Sequence, residues 1–94
     1  MSVSLSLAGK VAIVTGASRG IGEAIARCFV EHDAKVLVAS RKEDGVRAVV
    51  DKLNAVKPGA VLAMAAHTGK EDDCKALVAK AASHFGKVDI LVNN

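Results

Sequence analysis

The sequence contains no tyrosine and no tryptophan, and its only phenylalanines are Phe29 and Phe85. Single-stranded nucleic acid wants stacking rings along a basic groove, so that class of ligand is not expected. Lysine and arginine are scattered, the net charge is only +3, and no basic recognition helix stands out, which argues against duplex binding too. No apolar run is longer than Ala60 to Ala66. That is far short of the roughly 20 residues of a membrane span. Residues 1–10 lack the basic n-region of a secretory leader. The expectation is a soluble, cytoplasmic chain with neither a membrane nor a nucleic acid as partner.

Cysteine is scarce as well. Cys28 and Cys74 form no C-x-x-C pair, and both fall on apolar helical stripes. They read as small buried side chains, not as a disulfide or a nucleophile. His32, His67 and His84 lie far apart and carry no metal-ligand spacing, so no metal site is expected. His32 and His84 read as surface positions near helix ends. What is present, 51% hydrophobic and 24% charged residues in a chain of 94, makes one small globular domain.

The stretch that organises the chain is Thr15-Gly16-Ala17-Ser18-Arg19-Gly20-Ile21-Gly22. It follows the apolar run Val11 to Val14 and opens an amphipathic segment. That context reads strand, glycine turn, helix. A phosphate needs close approach to the backbone and unpaired N–H donors. Glycine supplies the first, because it has no Cβ and tolerates positive φ. The first turn of a helix supplies the second, with the positive end of its dipole behind it. The three together form a pocket for a pyrophosphate. The spacing is G-x-x-x-G-x-G, not G-x-G-x-x-G. No Gly-Lys-Ser or Gly-Lys-Thr follows, so a P-loop is excluded. A glycine turn alone could equally be an ordinary strand-to-helix connection, and the flanking segments must decide.

Those segments alternate. Val11 to Val14 suits a strand covered on both faces. Gly20 to about His32 predicts a helix with Ile21, Ile25, Cys28 and Phe29 on one face. Its end is ill defined, because Asp33-Ala34 is a poor terminator compared with glycine. Val36 to Ala39 is a second buried strand. A second helix follows from about Glu43 to Asn54, with the stripe Val46, Val49, Val50 and Leu53. Lys57-Pro58-Gly59 is a turn. Ala60 to Ala66 is a third strand. Thr68-Gly69-Lys70-Glu71 has the form of a capping box and should start a third helix. That helix carries Cys74, Leu77, Val78, Ala81, Ala82 and Phe85 and stops at Gly86. Asp89 to Val92 is a fourth strand. The pattern β-α-β-α-β-α-β implies a parallel sheet with helical crossovers. Right-handed crossovers and the topology of the dinucleotide fold give strand order 3-2-1-4. The first two helices should share one face and the third should lie on the other, half of a doubly wound α/β fold of Rossmann type.

In such folds a group at the end of the second strand reads the adenosine ribose, and an acid there selects NAD(H). Here the neighbourhood is Ser40-Arg41-Lys42, with no acid before Glu43. Arg41 offers a planar donor fork suited to phosphate, and Lys42 adds charge. Ser40 can donate one more hydrogen bond, and Arg19 could approach the same phosphate from the glycine turn. NADP(H) is therefore expected over NAD(H). The alternative is that Arg41 and Lys42 merely solvate a strand end.

Thr15-Gly16-Ala17-Ser18-Arg19-Gly20-Ile21-Gly22 resembles the T-G-x-x-x-G-x-G cofactor motif of the short-chain dehydrogenases/reductases. Asp89-Ile90-Leu91-Val92-Asn93-Asn94 resembles the start of that family's N-N-A-G motif on the fourth strand. The resemblance covers essentially the whole chain but only the N-terminal, dinucleotide-binding half of the family's domain. It implies that Gly16, Gly20, Ile21 and Gly22 line the pyrophosphate and nicotinamide side. It implies that Arg19, Ser40 and Arg41 hold the 2′-phosphate of NADP(H), and that Asn93 supports the adenosine side and the central strand. Thr15 would be a structural hydrogen bonder. The family usually places an acid followed by an apolar residue after the third strand, where the acid meets the adenine. This chain has His67-Thr68 there. Either His67 takes over as adenine partner or the backbone alone holds the adenine, and a plain loop histidine is equally admissible. The His-x-Gly stretch resembles the carbonyl-reductase-like branch.

The family's catalysis uses a Ser, a Tyr, a Lys and a helper Asn, with the lysine lowering the tyrosine pKa. Without tyrosine, Ser83 and Lys87 cannot stand in, and no catalytic residue is assigned. The expected role is the cofactor-binding part of an NADP(H)-dependent oxidoreductase acting on a carbonyl or alcohol. The residues given would then be a piece of a longer chain, a homo-oligomer at full length. The rivals are a non-catalytic nucleotide-binding module and an inactive fragment associating through an exposed edge strand.

Overall fold

A computed structural model describes residues 6–17 and 20–94 of the chain. Four strands, β1 (Val11–Thr15), β2 (Lys35–Ser40), β3 (Val61–Ala65) and β4 (Ile90–Val92), alternate with three helices. These are α1 (Gly20–Glu31), α2 (Glu43–Val56) and α3 (Glu71–Phe85). The sheet is parallel throughout, in the order β3-β2-β1-β4. Val36 is the hinge of its register, pairing with Ala12 on one side and Val61 on the other.

Alternation along the strands sorts the core into two layers. Ala12, Val14, Val36 and Val38 pack with Ala26 and Val30 of α1 and with Val46, Val49 and Leu53 of α2. Ile13, Leu37 and Ala39 point to the opposite face and meet Leu77 and Ala81 of α3. The first two helices thus share one face and the third covers the other. Every residue of β1 is buried, as a central parallel strand covered on both faces requires. Each fully buried Val, Leu or Ile contributes about 1.5–3 kcal/mol.

Several local expectations are corrected. The buried stripe of α1 is Gly22, Ala26 and Val30, flanked by Ile25 and Phe29, and Ile21 is 72% exposed. Small residues face the sheet because the helix must start close against the glycine turn, which rotates Ile21 outward. Cys28 is exposed and Cys74 is half-buried, so neither is the buried side chain expected. The His32 ring donates from Nδ1 to the Cys28 carbonyl at 2.7 Å, which satisfies a terminal acceptor of α1. Asp33 does the work of the missing glycine, at φ 77°. Its N–H bonds the Val30 carbonyl and that of Ala34 bonds Phe29, the paired bonds of a Schellman end.

Thr68 does not cap α3. Residues 67–70 form a turn closed by Lys70 N–H to the His67 carbonyl, and the cap residue is Lys70, with no side-chain cap bond. Glu71, Asp72 and Asp73 populate the first turn, where acids suit the dipole. On α3 only Leu77 and Ala81 of the expected stripe are buried, while Val78 and Ala82 face out. Gly86 ends the helix at φ 93° as expected. The second helix runs two residues past Asn54, and that side chain bonds both the N–H and the carbonyl of Val61. It thereby secures the first residue of the outer strand β3.

The start of β1 is pinned by Asp89. Its Oδ2 accepts the Val11 N–H at 2.9 Å, and its own N–H donates to the Val11 carbonyl at 2.8 Å. The Val11 N–H, and after it the Lys87 ammonium 3.0 Å away, hold the carboxyl below its ordinary 3.8. A depressed carboxylate stabilises the fold above its unfolded pKa and loses that contribution as pH falls through the folded value. The stability advantage of the wild type over Asp89→Asn is therefore expected at neutral pH and should vanish progressively below pH 3.8. Urea titrations of both proteins across that range check it; a pH-independent difference would contradict the pairing.

Candidate functional site: a groove at the strand C-termini

The C-terminal ends of β1, β2 and β3 open into a groove of about 600 Å³. It is lined by Gly16 from the first turn, Ser40 to Lys42 from the second, Ala66 and Thr68 from the third, and Asn94 after β4. Backbone bonds hold the three turns in step. Ala17 N–H donates to Ala39 at 3.1 Å, and Ala66 N–H donates to Ser40 at 2.8 Å.

The three motif glycines are there for two different reasons. Gly16 and Gly20 have φ of 62° and 66°, a region that side-chain-bearing residues seldom adopt. Gly22 is there for space. A Cβ on it would fall on the Gly16 carbonyl oxygen and lie 2.8 Å from Asn94 Nδ2. The first turn of α1 is thus pressed against the end of β1, next to Gly16, which lines the groove. A Cβ at Gly20 would meet nothing within 4 Å, so this glycine leaves its side of the turn open. Ser18 and Arg19 lie outside the described residues.

Thr15 locks the end of β1 to the end of β4. It is 3% exposed, and its hydroxyl has Val92 O at 3.3 Å and Asn93 Oδ1 at 3.1 Å as acceptors. The same oxygen accepts the Asn94 N–H at 3.0 Å. The structure places Asn93 beside a small cavity of about 100 Å³ on the α3 side, with Ile13, Leu77 and Leu91. Its neighbour Asn94 is the residue on the groove, where Nδ2 donates to the Gly16 carbonyl at 3.3 Å. Sequence reasoning missed this role of Asn94; the signal was its place one residue further from the strand, beside the glycine turn.

Arg41 and Lys42 both stand exposed on the groove. Ser40 is less free than its sequence position implies. Its hydroxyl donates to the Lys42 carbonyl at 2.8 Å and accepts the Lys42 N–H, so its one proton is engaged in the turn. Asp44 also lines the groove, in the first turn of α2. His67 stands beyond Arg41, with Nε2 at 2.6 Å from Arg41 Nη2. Ile21 is on the solvent side of the helix start, away from the packed layer. Among the described residues no group of three His, Cys, Asp or Glu could hold a metal ion, and no helix is long and apolar enough to cross a membrane.

The groove fits a nicotinamide dinucleotide by the test of its donors. It offers a glycine turn without side-chain obstruction at Gly20, the N-terminus of α1, and cations at the end of β2. Overpacking at Gly22 is the direct check on the turn. Gly22→Ala is expected to cost about 1–3 kcal/mol in urea unfolding. An unchanged stability would mean that α1 does not approach Gly16 this closely.

Comparison with known proteins agrees with this geometry. Residues 10–94 match the family "short chain dehydrogenase". A glucose 1-dehydrogenase of Gluconobacter oxydans (strain 621H) is 47% identical over 87 residues, which are 93% of this chain and 33% of that protein. The crystal structure of a hydroxysteroid dehydrogenase from Escherichia coli superposes with a TM-score of 0.91 at 42% identity, over 97% of this chain and 38% of that one. A 3-ketoacyl-(acyl-carrier-protein) reductase from Brucella melitensis, solved with NADH, gives a TM-score of 0.84 at 45% identity, over 92% and 34% of the two chains. The chain spans about a third of the length of these relatives. With its parallel 3-2-1-4 sheet, its glycine turn and its match over residues 10–94, the chain belongs to the short-chain dehydrogenase/reductase family of oxidoreductases.

Proposed function

We propose that residues 1–94 are the NADP(H)-binding part of a short-chain oxidoreductase that acts on a carbonyl or alcohol. The observation that carries the cofactor preference is the pair of cations, Arg41 and Lys42, on the groove directly after β2. An acid reading the ribose 2′-hydroxyl would occupy this neighbourhood in an NAD(H) protein. Asp44 is the one carboxylate among the described lining residues, against the two cations Arg41 and Lys42. The Brucella reductase solved with NADH shows a neighbour of this fold with the unphosphorylated cofactor. The preference assigned to this chain rests on its own β2 end.

In this reading the first turn of α1 and the Gly16–Gly22 backbone hold the pyrophosphate, with Ser18 and Ile21 beside it. Arg41 and Lys42 hold the 2′-phosphate, with Arg19 and Ser40 as further donors. Ser40 must first release its proton from the Lys42 carbonyl. The nicotinamide supplies or takes up the hydride. The sequence holds no tyrosine, so these residues bind and orient, and we assign proton transfer to residues outside them. The same fact favours, as the second reading, a nucleotide-binding module without catalysis.

Two variants test the reading. Gly20→Asp puts a carboxylate where a Cβ has open space, and Asp tolerates positive φ better than most residues. NADPH affinity should fall at least about tenfold with the fold retained, by calorimetry and circular dichroism. Arg41→Asp should lower the ratio of NADPH to NADH affinity by about tenfold or more. Unaltered affinity in the first would reject the pyrophosphate site, and an unaltered ratio in the second would reject the 2′-phosphate site at β2.

A further inference from the structure

The contact between Arg41 and His67 is chemically unbalanced. His67 Nδ1 accepts the Gly69 N–H at 3.0 Å, which leaves the proton of a neutral ring on Nε2. That same Nε2 faces Arg41 Nη2 at 2.6 Å. A guanidinium has donors and no acceptor. In the neutral ring one of the two contacts must therefore set donor against donor. In the imidazolium both do. No protonation state of His67 satisfies the pair by itself.

Ring and backbone are nevertheless held in place. The His67 N–H donates to Asp73 Oδ2 at 2.8 Å, and its carbonyl accepts the Lys70 N–H at 2.9 Å. Gly69 gives the ring its room: a Cβ there would come within 2.7 Å of His67 Cε1. Two N–H donors, one cationic, thus meet from the ends of β2 and β3, where Arg41, and Ala66 and Thr68 on either side of His67, line the groove. A 2.6 Å separation leaves no room for an anion between them, so an anion that draws the two donors apart would accept from both and remove the conflict.

We propose that His67 is a specificity-determining residue whose Nε2–H, together with the Arg41 guanidinium, clamps the 2′-phosphate of NADP(H). This goes beyond the two alternatives of an adenine partner and a loop histidine, and it rests on the NADP(H) reading of the groove. The clamp explains why a histidine suits the end of β3 here. An acid at that position would pair with Arg41 and compete with the phosphate. Gly69 belongs to the clamp as the residue that lets the ring lie flat on its own turn.

The test is binding of adenosine 2′,5′-bisphosphate, adenosine 5′-monophosphate and inorganic phosphate to wild type, His67→Ala, His67→Gln and Gly69→Ala. Calorimetry gives the affinities, and circular dichroism confirms folding of each variant. Wild type is expected to bind the bisphosphate more tightly than the monophosphate. His67→Ala and Gly69→Ala should weaken the bisphosphate about tenfold and leave the monophosphate within about twofold. His67→Gln, which keeps a donor, should restore part of the loss. In wild type the His67 ring nitrogens should shift in NMR spectra with the bisphosphate and not with the monophosphate, a readout that needs no variant to fold. Binding of inorganic phosphate as tight as that of the bisphosphate, with the same ring shift, would make this a free-phosphate site and overturn the assignment. Equal weakening of both nucleotides in His67→Ala would make His67 an adenosine partner, and no weakening would make it a loop residue; either result overturns the clamp while wild-type preference for the bisphosphate upholds the NADP(H) reading. No preference in wild type would reject that reading and the clamp with it.

Discussion

Gly22 lies against the carbonyl oxygen of Gly16 with no room for a Cβ between them, and the groove depends on that approach. It brings the first turn of α1, whose N–H groups have no partner within the helix, onto the end of β1. It sets which side of α1 is buried, and so turns Ile21 outward and Ala26 and Val30 inward. Asn94 is wedged into the same junction by its bond to the Gly16 carbonyl. Thr15, buried beneath it, ties β1 to the two asparagines after β4. Thr15, Gly16 and Gly22 are thereby fixed with the distant Asn93 and Asn94 within one small volume. A phosphate site made of backbone donors needs this kind of rigidity, because backbone donors cannot be re-aimed by a rotamer change.

Electrostatics adds what the backbone cannot. In the proposed reading the glycine turn takes the pyrophosphate of any nicotinamide dinucleotide, and discrimination falls to the ends of β2 and β3. There the chain places Arg41, Lys42 and His67, with Asp44 as the one carboxylate among the described lining residues. The end of β2 is also where the tie Ala66 N–H to Ser40 O holds the third turn close. His67 and Arg41 each follow directly on a residue of that tie. Backbone pairing at the sheet's end thus accompanies the side-chain contact between Arg41 and His67.

The architecture was legible because its signals are periodic. Apolar runs at Val11, Val36 and Val61 and the three-four spacing of Val46, Val49 and Leu53 state strand and helix directly, their alternation implies a parallel sheet, and right-handed crossovers with the dinucleotide-fold topology supply its order. What the sequence hid was contact. Periodicity placed Ile21 and Cys28 on an apolar stripe, but the close approach at Gly22 rotated α1 by about one residue. Thr68 and Glu71 have capping spacing, yet Asp73 binds the His67 N–H and the helix begins later. Asp33 adopts positive φ where a glycine was sought. That Gly16, Arg41 and Lys42 stand at the C-terminal ends of the strands was legible from residue type and place. The engagement of Ser40 by Lys42, the reach of Asn94 to Gly16 and the donor conflict at His67 were not, since each joins groups whose orientation only the folded chain sets.

Backbone amide shifts during a titration with NADPH test the central claim, a dinucleotide lying along the groove on the Gly16–Gly22 turn, most directly. The account predicts saturable shifts in four clusters: the Gly16–Gly22 turn, Ser40 to Lys42, Ala66 to Gly69, and Asn94. Residues of the α3 surface such as Val78 and Ala82 should stay still. Shifts confined to the α3 side of the sheet, around Leu77 and Leu91, would contradict the account. So would the absence of any shift at the glycine turn when the cofactor is saturating.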